Sequence, residues 1–247
     1  TPMPEKVGGW EIGSTFDNMP LKNFVDGILY PYQYPAFSSF SFTGKVTSLE
    51  CGVAIAAGNK TWSWATSNPS NINANSIKIE DVTNVYTIGQ NLANDGTEVL
   101  SIGASPITKT TNAATNTFRI TGTNSKGQTF TRNDVVTWYA PIFHGVGAAG
   151  LSVAQLQALT KRITGEVSFN SDFTTSNQKI YIAYPSAWGV LTSIKDQNLF
   201  DITADFTRST VSFTNNPGYY EGTTMSYYVY EYNNLTNLTN FKIYFNF

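Results

Sequence analysis

Short runs of alternating apolar and polar residues, cut by turn signals about every ten residues, dominate the middle of this chain and leave it few folds to adopt. Phe40 and Phe42 skip one residue, as do Val53 and Ile55, Trp62 and Trp64, Ile77 and Ile79, and Phe118 and Ile120. That period of two puts each pair on one face of a half-buried strand. Gly58-Asn59, Asn68-Pro69, Asn94-Asp95-Gly96 and Lys126-Gly127 fall between the runs and read as turns. Residues 34–140 are therefore expected to form a β-sandwich of the immunoglobulin-like kind, with Trp62 or Trp64 in its core.

The flanks read differently. In residues 1–33, Gly8, Gly9 and Gly13 punctuate an extended stretch, VGGWEIGSTF. Leu21, Phe24, Val25, Ile28 and Leu29 then recur at the spacing of one helix face. Pro20 suits the first turn of that helix, and Pro31 ends it with Tyr30 pushed towards extended geometry. Leu21, Phe24, Ile28, Leu29 and Tyr30 are the candidate docking residues of this N-terminal unit.

Residues 141–247 form a second β-rich unit. Gly145, Gly147 and Gly150 read as a flexible turn leading to one entrance helix. Ser152 and Gln155 have the spacing of a capping box, and Leu156, Leu159 and Ile163 line one face as far as Gly165. Strands are expected at VSF (167–169), KIYIAY (179–184), STVSF (209–213), SYYVYEY (226–232) and FKIYFNF (241–247).

The chain is poor in reactive side chains. It has one His (His144), one Cys (Cys51) and 13% charged residues, with a net charge of −2. A lone histidine cannot build a His-based metal site, and no acidic run has the dense spacing of a calcium loop. The carboxylates are scattered; Glu80 and Asp81 are adjacent and point to opposite faces of a strand. No catalytic, metal or cofactor residue is expected, and Cys51 reads as a small buried hydrophobe. Without a basic patch, nucleic-acid binding is not expected. No apolar run approaches the roughly 18 residues of a membrane-spanning helix.

Aromatic side chains are abundant instead: 16 Phe, 14 Tyr and 5 Trp. Tyr219, Tyr220, Tyr227, Tyr228, Tyr230 and Tyr232 crowd one stretch. In a strand, Tyr228, Tyr230 and Tyr232 share one face, and Tyr227 and Val229 take the other. Core packing, a subunit interface and a ligand platform all use such rings.

Two stretches resemble bacteriophage virion proteins. The opening carries G-G-x-x-x-G-x-T-F followed by a short helix and L-Y-P. The C-terminal part carries KIYIAYPSAWGVLTSIKD, then DITADFTRSTVSF, then a final F-K-I-x-F. Those proteins are fibre, neck or tail appendage components, often with immunoglobulin-like modules. The resemblance implies a mostly β chain of two immunoglobulin-like β-sandwich domains behind a short helical N-terminal unit, with boundaries at 1–33, 34–140 and 141–247. It implies a virion location, made in the host cytoplasm, other virion proteins as partners, a homo-oligomer (a trimer by first expectation), and a cell-surface glycan or protein receptor as a further partner. Tyr181, Tyr184 and Trp188, with Tyr228, Tyr230 and Tyr232, are the candidate binding or interface residues, either a distal surface or a packed corner. A bacterial carbohydrate-binding adhesin and a polysaccharide hydrolase with two distant carboxylates are the alternatives.

Overall fold

The computed structural model describes residues 20–165, 168–214 and 224–247, and the fold they form is mostly β. The VGGWEIGSTF stretch with Gly8, Gly9 and Gly13, and also Val167, Tyr219 and Tyr220, lie outside the described residues. The expected N-terminal helix is present as α1 (Leu21–Leu29), behind Pro20 and closed by the Tyr30 N–H on the Asp26 carbonyl at 2.7 Å.

The first unit contains β1 (Ala36–Phe42), β2 (Ser48–Glu50), β3 (Asn59–Ser67), β4 (Ile77–Asp81), β5 (Tyr86–Leu92), β6 (Gly96–Ser101), β7 (Ala114–Thr123) and β8 (Thr129–Tyr139). They make two sheets, β1-β3-β6 and β2-β8-β7-β4-β5, with β2 parallel to β8 and the other neighbours antiparallel. The alternating residues meet between the sheets. Trp62 of the three-stranded sheet stacks on Phe40 at 5.4 Å and meets the edge of Phe118 from the opposite sheet at 5.3 Å. Trp138 donates its indole N–H to the Val53 carbonyl at 2.7 Å, so this large ring is buried with its polar atom satisfied. The expected turns fall where the signals stand. In one of them Asn124 Oδ1 accepts the backbone N–H groups of Lys126 and Gln128, with Gly127 at φ 78°. The Val53–Ile55 alternation yields less than a strand: only Ile55 pairs, in a single bridge to Ile107.

The chain passes from the first unit to the second through Ala140 and Pro141 alone, both buried. The second unit holds β9 (Ile142–Gly147), α2 (Val153–Gln157), β10 (Thr160–Arg162), β11 (Ser168–Pro185), β12 (Ser193–Lys195), β13 (Phe206–Thr214), β14 (Thr224–Tyr232) and β15 (Thr236–Asn246). One layer has the order β10-β9-β11-β14-β13; β15 pairs with the first part of β11 and with β12. The long β11 changes partners around Asn177, which takes φ 54°. Ile180, Ile182, Tyr184 and Tyr230 face Phe169, Ile194, Ile243 and Phe245 across one core. Phe143, Tyr181, Phe213, Tyr227 and Val229 form a second core on the other face, covered by Leu156 of α2.

Two expectations need correction here. The entrance helix keeps its capping box, with Ser152 and Gln155 bonded reciprocally, but it ends at Gln157. Residues 160–162 instead pair antiparallel with β9, Thr160 opposite His144 and Arg162 opposite Ile142, so the pairing available at the sheet edge overrides the helical spacing. Gly145 and Gly147 are strand residues rather than a flexible turn. A Cβ at Gly145 would sit 2.9 Å from Leu159 Cδ2, and one at Gly147 2.9 Å from Leu151 Cδ1, so the missing side chains let this cover approach.

The units are fastened across the junction. Met225 packs against both the first core and the α2-covered core, Tyr227 Oη donates to the Pro141 carbonyl at 3.0 Å, and Lys161 Nζ lies 3.1 Å from Glu50 Oε1. Burial pushes the Glu50 carboxyl above its usual value of 4.5, against the pull of Lys161. A carboxyl with a raised native pKa binds its proton more tightly when folded. Its favourable contribution is therefore complete in acid and declines as pH climbs past 4.5 through the native value. Glu50→Gln is expected to flatten stability against pH over that window, as read by denaturant midpoints at successive pH values. An unchanged slope would show that Glu50 does not set it.

Candidate functional site

The N-terminal docking residues lie on α1 and, for Tyr30, at its C-cap. Leu21 and Tyr30 are 75% and 76% exposed; Val25, Ile28 and Leu29 are exposed as well, and Phe24 is half-buried. Lys22 and Asp26 form an ion pair one turn apart on the polar side. Clustered apolar side chains in water mark a contact surface far more than scattered ones do.

The connector after α1 is fixed to the sandwich. Tyr32 Oη donates to the Asn71 carbonyl and accepts from Ser125 Oγ, each at 3.1 Å. Asn71 Nδ2 donates to the Gln33 carbonyl at 2.7 Å, and Asn68 Nδ2 to the Tyr34 carbonyl at 3.3 Å. Tyr32 and Tyr34 meet edge to face at 4.9 Å, and Lys126 Nζ lies 5.4 Å from the Tyr32 ring centre. These anchors sit beside the β7–β8 turn. The 11 residues of β8 then run roughly 35 Å to the junction with the second unit, so α1 and that unit occupy opposite ends of the first sandwich.

The aromatic candidates are divided between two cores. Tyr184 and Tyr230 are buried and stacked at 6.1 Å in one; Tyr181 is buried on the other face of the sheet, donating to the Ala148 carbonyl at 2.6 Å. Tyr228, Tyr232 and Trp188 are half-buried against the Tyr184 side. The expected alternation along β14 holds, but sheet neighbours cover both of its faces. The six rings therefore form no continuous open platform. Tyr184 Oη donates to the Gly189 carbonyl at 3.0 Å, and the Leu191 N–H is shared between Tyr184 and Tyr230 at 3.2 Å each. These bonds make the 185–191 segment a packed corner. Burial raises the Tyr184 hydroxyl pKa, with the neighbouring Tyr230 adding to it, and the proton stays in place to serve these bonds.

Reactive groups elsewhere are masked by their surroundings. The Cys51 thiol is buried and pushed up to about 12, by burial first and then by Glu50, so the nucleophilic thiolate is scarce at neutral pH. His144 lies 5.5 Å from the Phe169 ring and 6.3 Å from Phe173; burial, then Arg162, lower its pKa and keep it neutral. Glu80 is held below the usual carboxylate range chiefly by a hydrogen bond from Lys78, with burial opposing and Arg119 adding to the effect. Among the described residues, no three His, Cys, Asp or Glu side chains gather as metal ligands.

The sequence reading did not reach one polar cluster on the first sandwich. Asp81 and Asn116, both buried, are linked by hydrogen bonds through the exposed Asn84 at the β4–β5 turn. Its signal was the D-x-x-N spacing of Asp81 and Asn84, an Asx-type turn in which the carboxylate caps the backbone two or three residues on. No protein-family model matches the chain, and no curated protein matches it.

Proposed function

We propose that this chain is a structural component of a bacteriophage virion appendage, acting through shape and surface rather than through a reaction. The carrying observation is α1: Leu21, Val25, Ile28 and Leu29 are exposed on one short helix, on a connector fixed by Tyr32, Gln33 and Tyr34. A tether that only joined domains would need neither the exposed leucines nor the anchoring. An adjoining virion subunit with an apolar groove is the occupant this face fits, since a helix laid in such a groove presents anchors at the spacing of Leu21, Val25 and Ile28. The two fastened sandwiches project away from that attachment and carry the distal surface. The resemblance of the opening and closing segments to virion proteins supports the same reading.

Particles assembled with Ile28→Glu and Leu29→Glu together are expected to lose this protein by more than tenfold, a loss that burying one or two charges in an apolar contact readily produces. Both positions are exposed, so the melting temperature of the isolated protein stays unchanged. Imaging of the assembled particle reads copy number and neighbours directly. Full occupancy by the variant would remove α1 from the attachment.

A further inference from the structure

We propose that the groove between the β4–β5 turn and the 102–109 loop is a binding site for a neutral pyranose, such as the terminal residue of a cell-surface glycan. Its cavity of about 370 Å³ lies in the size range of small-ligand sites. Asp81, Asn84 and Tyr86 line one side, with Ser105, Pro106 and Lys109 on the other. A sugar ring is a disc with a rim of hydroxyls and an apolar C–H face. This lining offers a carboxylate, an amide, a hydroxyl and an ammonium for the rim, and a tyrosine ring and a proline for the face.

Two observations beyond the shape point to a ligand. The first is Asp81. Its carboxylate is buried and accepts the Asn84 N–H at 3.1 Å and Asn84 Nδ2 at 2.7 Å. A carboxylate has about four acceptor positions, so Asn84 leaves some of them open. Among the described residues no lysine or arginine forms an ion pair with it. A buried anion without a cation is costly unless hydrogen-bond donors complete its shell, and sugar hydroxyls are such donors. Behind Asn84, the fully buried Asn116 accepts from Asn84 Nδ2 at 3.0 Å and so orients that amide, without itself lining the groove. The second is the turn itself. Val85, a β-branched residue, takes φ 54° and is 92% exposed, and Tyr86 after it is 42% exposed. A valine in the left-handed region is strained, and such strain collects where a binding surface is held ready. Here it presents the Tyr86 ring at the groove.

The charge pattern selects the ligand. Lys109 at the rim balances Asp81 overall, but the buried carboxylate would repel an acidic sugar at the same depth. A neutral ring is the remaining fit. The site is remote from α1, so failure of one reading leaves the other standing.

Amide-resonance titration of the whole protein with methyl glucoside, methyl mannoside, methyl galactoside, N-acetylglucosamine and a sialoside, to about 50 mM, tests this at the millimolar strength usual for one weak site. At least one neutral sugar is expected to move the resonances of Tyr86, Ser105 and Lys109. Tyr86→Ala should weaken that response tenfold or more with an unchanged melting curve, and Asp81→Asn should do the same. Because Asp81 also caps the turn, Tyr86→Ala decides if Asp81→Asn does not fold. The proposal is overturned if no neutral sugar perturbs the groove, if Tyr86→Ala binds as well as the parent, or if the sialoside binds better than every neutral sugar.

Discussion

Trp62→Ala is expected to lower the unfolding free energy by about 3–5 kcal/mol, the range for deleting a fully buried large aromatic side chain. The indole has no exposed surface, and it is where the two sheets of the first sandwich meet. It stacks on Phe40, tilts against Phe42 at 5.0 Å and meets the edge of Phe118 at 5.3 Å. A cavity there strips packing from three rings at once, and neighbours on rigid strands collapse into it poorly. Trp62→Phe is expected to be much milder for a specific reason. The indole N–H of Trp62 is buried with no acceptor, so phenylalanine removes an unsatisfied donor along with part of the ring. Urea unfolding followed by circular dichroism separates the two. A loss below about 1 kcal/mol for Trp62→Ala would mean that the core does not hinge on this ring.

Asp134→Ala is the second large effect, at about 3–5 kcal/mol, the cost of leaving one partner of a buried ion pair alone. Lys45 and Asp134 bond to each other with both side chains close to nine-tenths buried. Removing the carboxylate leaves an ammonium in a low-dielectric site, where desolvation far exceeds what the surface would exact. The paired replacement Lys45→Met with Asp134→Leu is expected to lie close to the parent, because it removes both desolvation penalties together. A double-mutant cycle measures the difference. Equal losses for the single and the paired replacement would show that packing, not charge, is what Asp134 supplies.

Local signals were legible wherever local chemistry decides. The turns at Asn68-Pro69 and Lys126-Gly127, the helix from Leu21 and the Ser152 capping box all follow from short-range preferences, and each stands where its residues place it. The sequence misled where a partner strand decides. The expected strands stop at VSF and resume at KIYIAY, yet the polar run NSDFTTSNQ between them belongs to one 18-residue strand. There β15 pairs with its backbone and its alternate side chains face solvent. Residues 160–162 kept a helical spacing and still joined β9. Alternation in β14 sorted its tyrosines correctly onto two faces, but a period of two carries no information on whether either face is covered. The Asp81 groove was hidden for a related reason, since its two walls are some twenty residues apart in the chain.

The parallel pairing of β2 with β8 has a mechanical consequence. An axial load entering at Ala36 and leaving through Tyr139 travels along strands that lie side by side, with Ser48, Leu49 and Glu50 registered on Thr137, Trp138 and Tyr139. Pulling their far ends apart slides this ladder and breaks its rungs together instead of unzipping them in turn. The two-residue passage beyond Tyr139 offers no slack to soften the jolt.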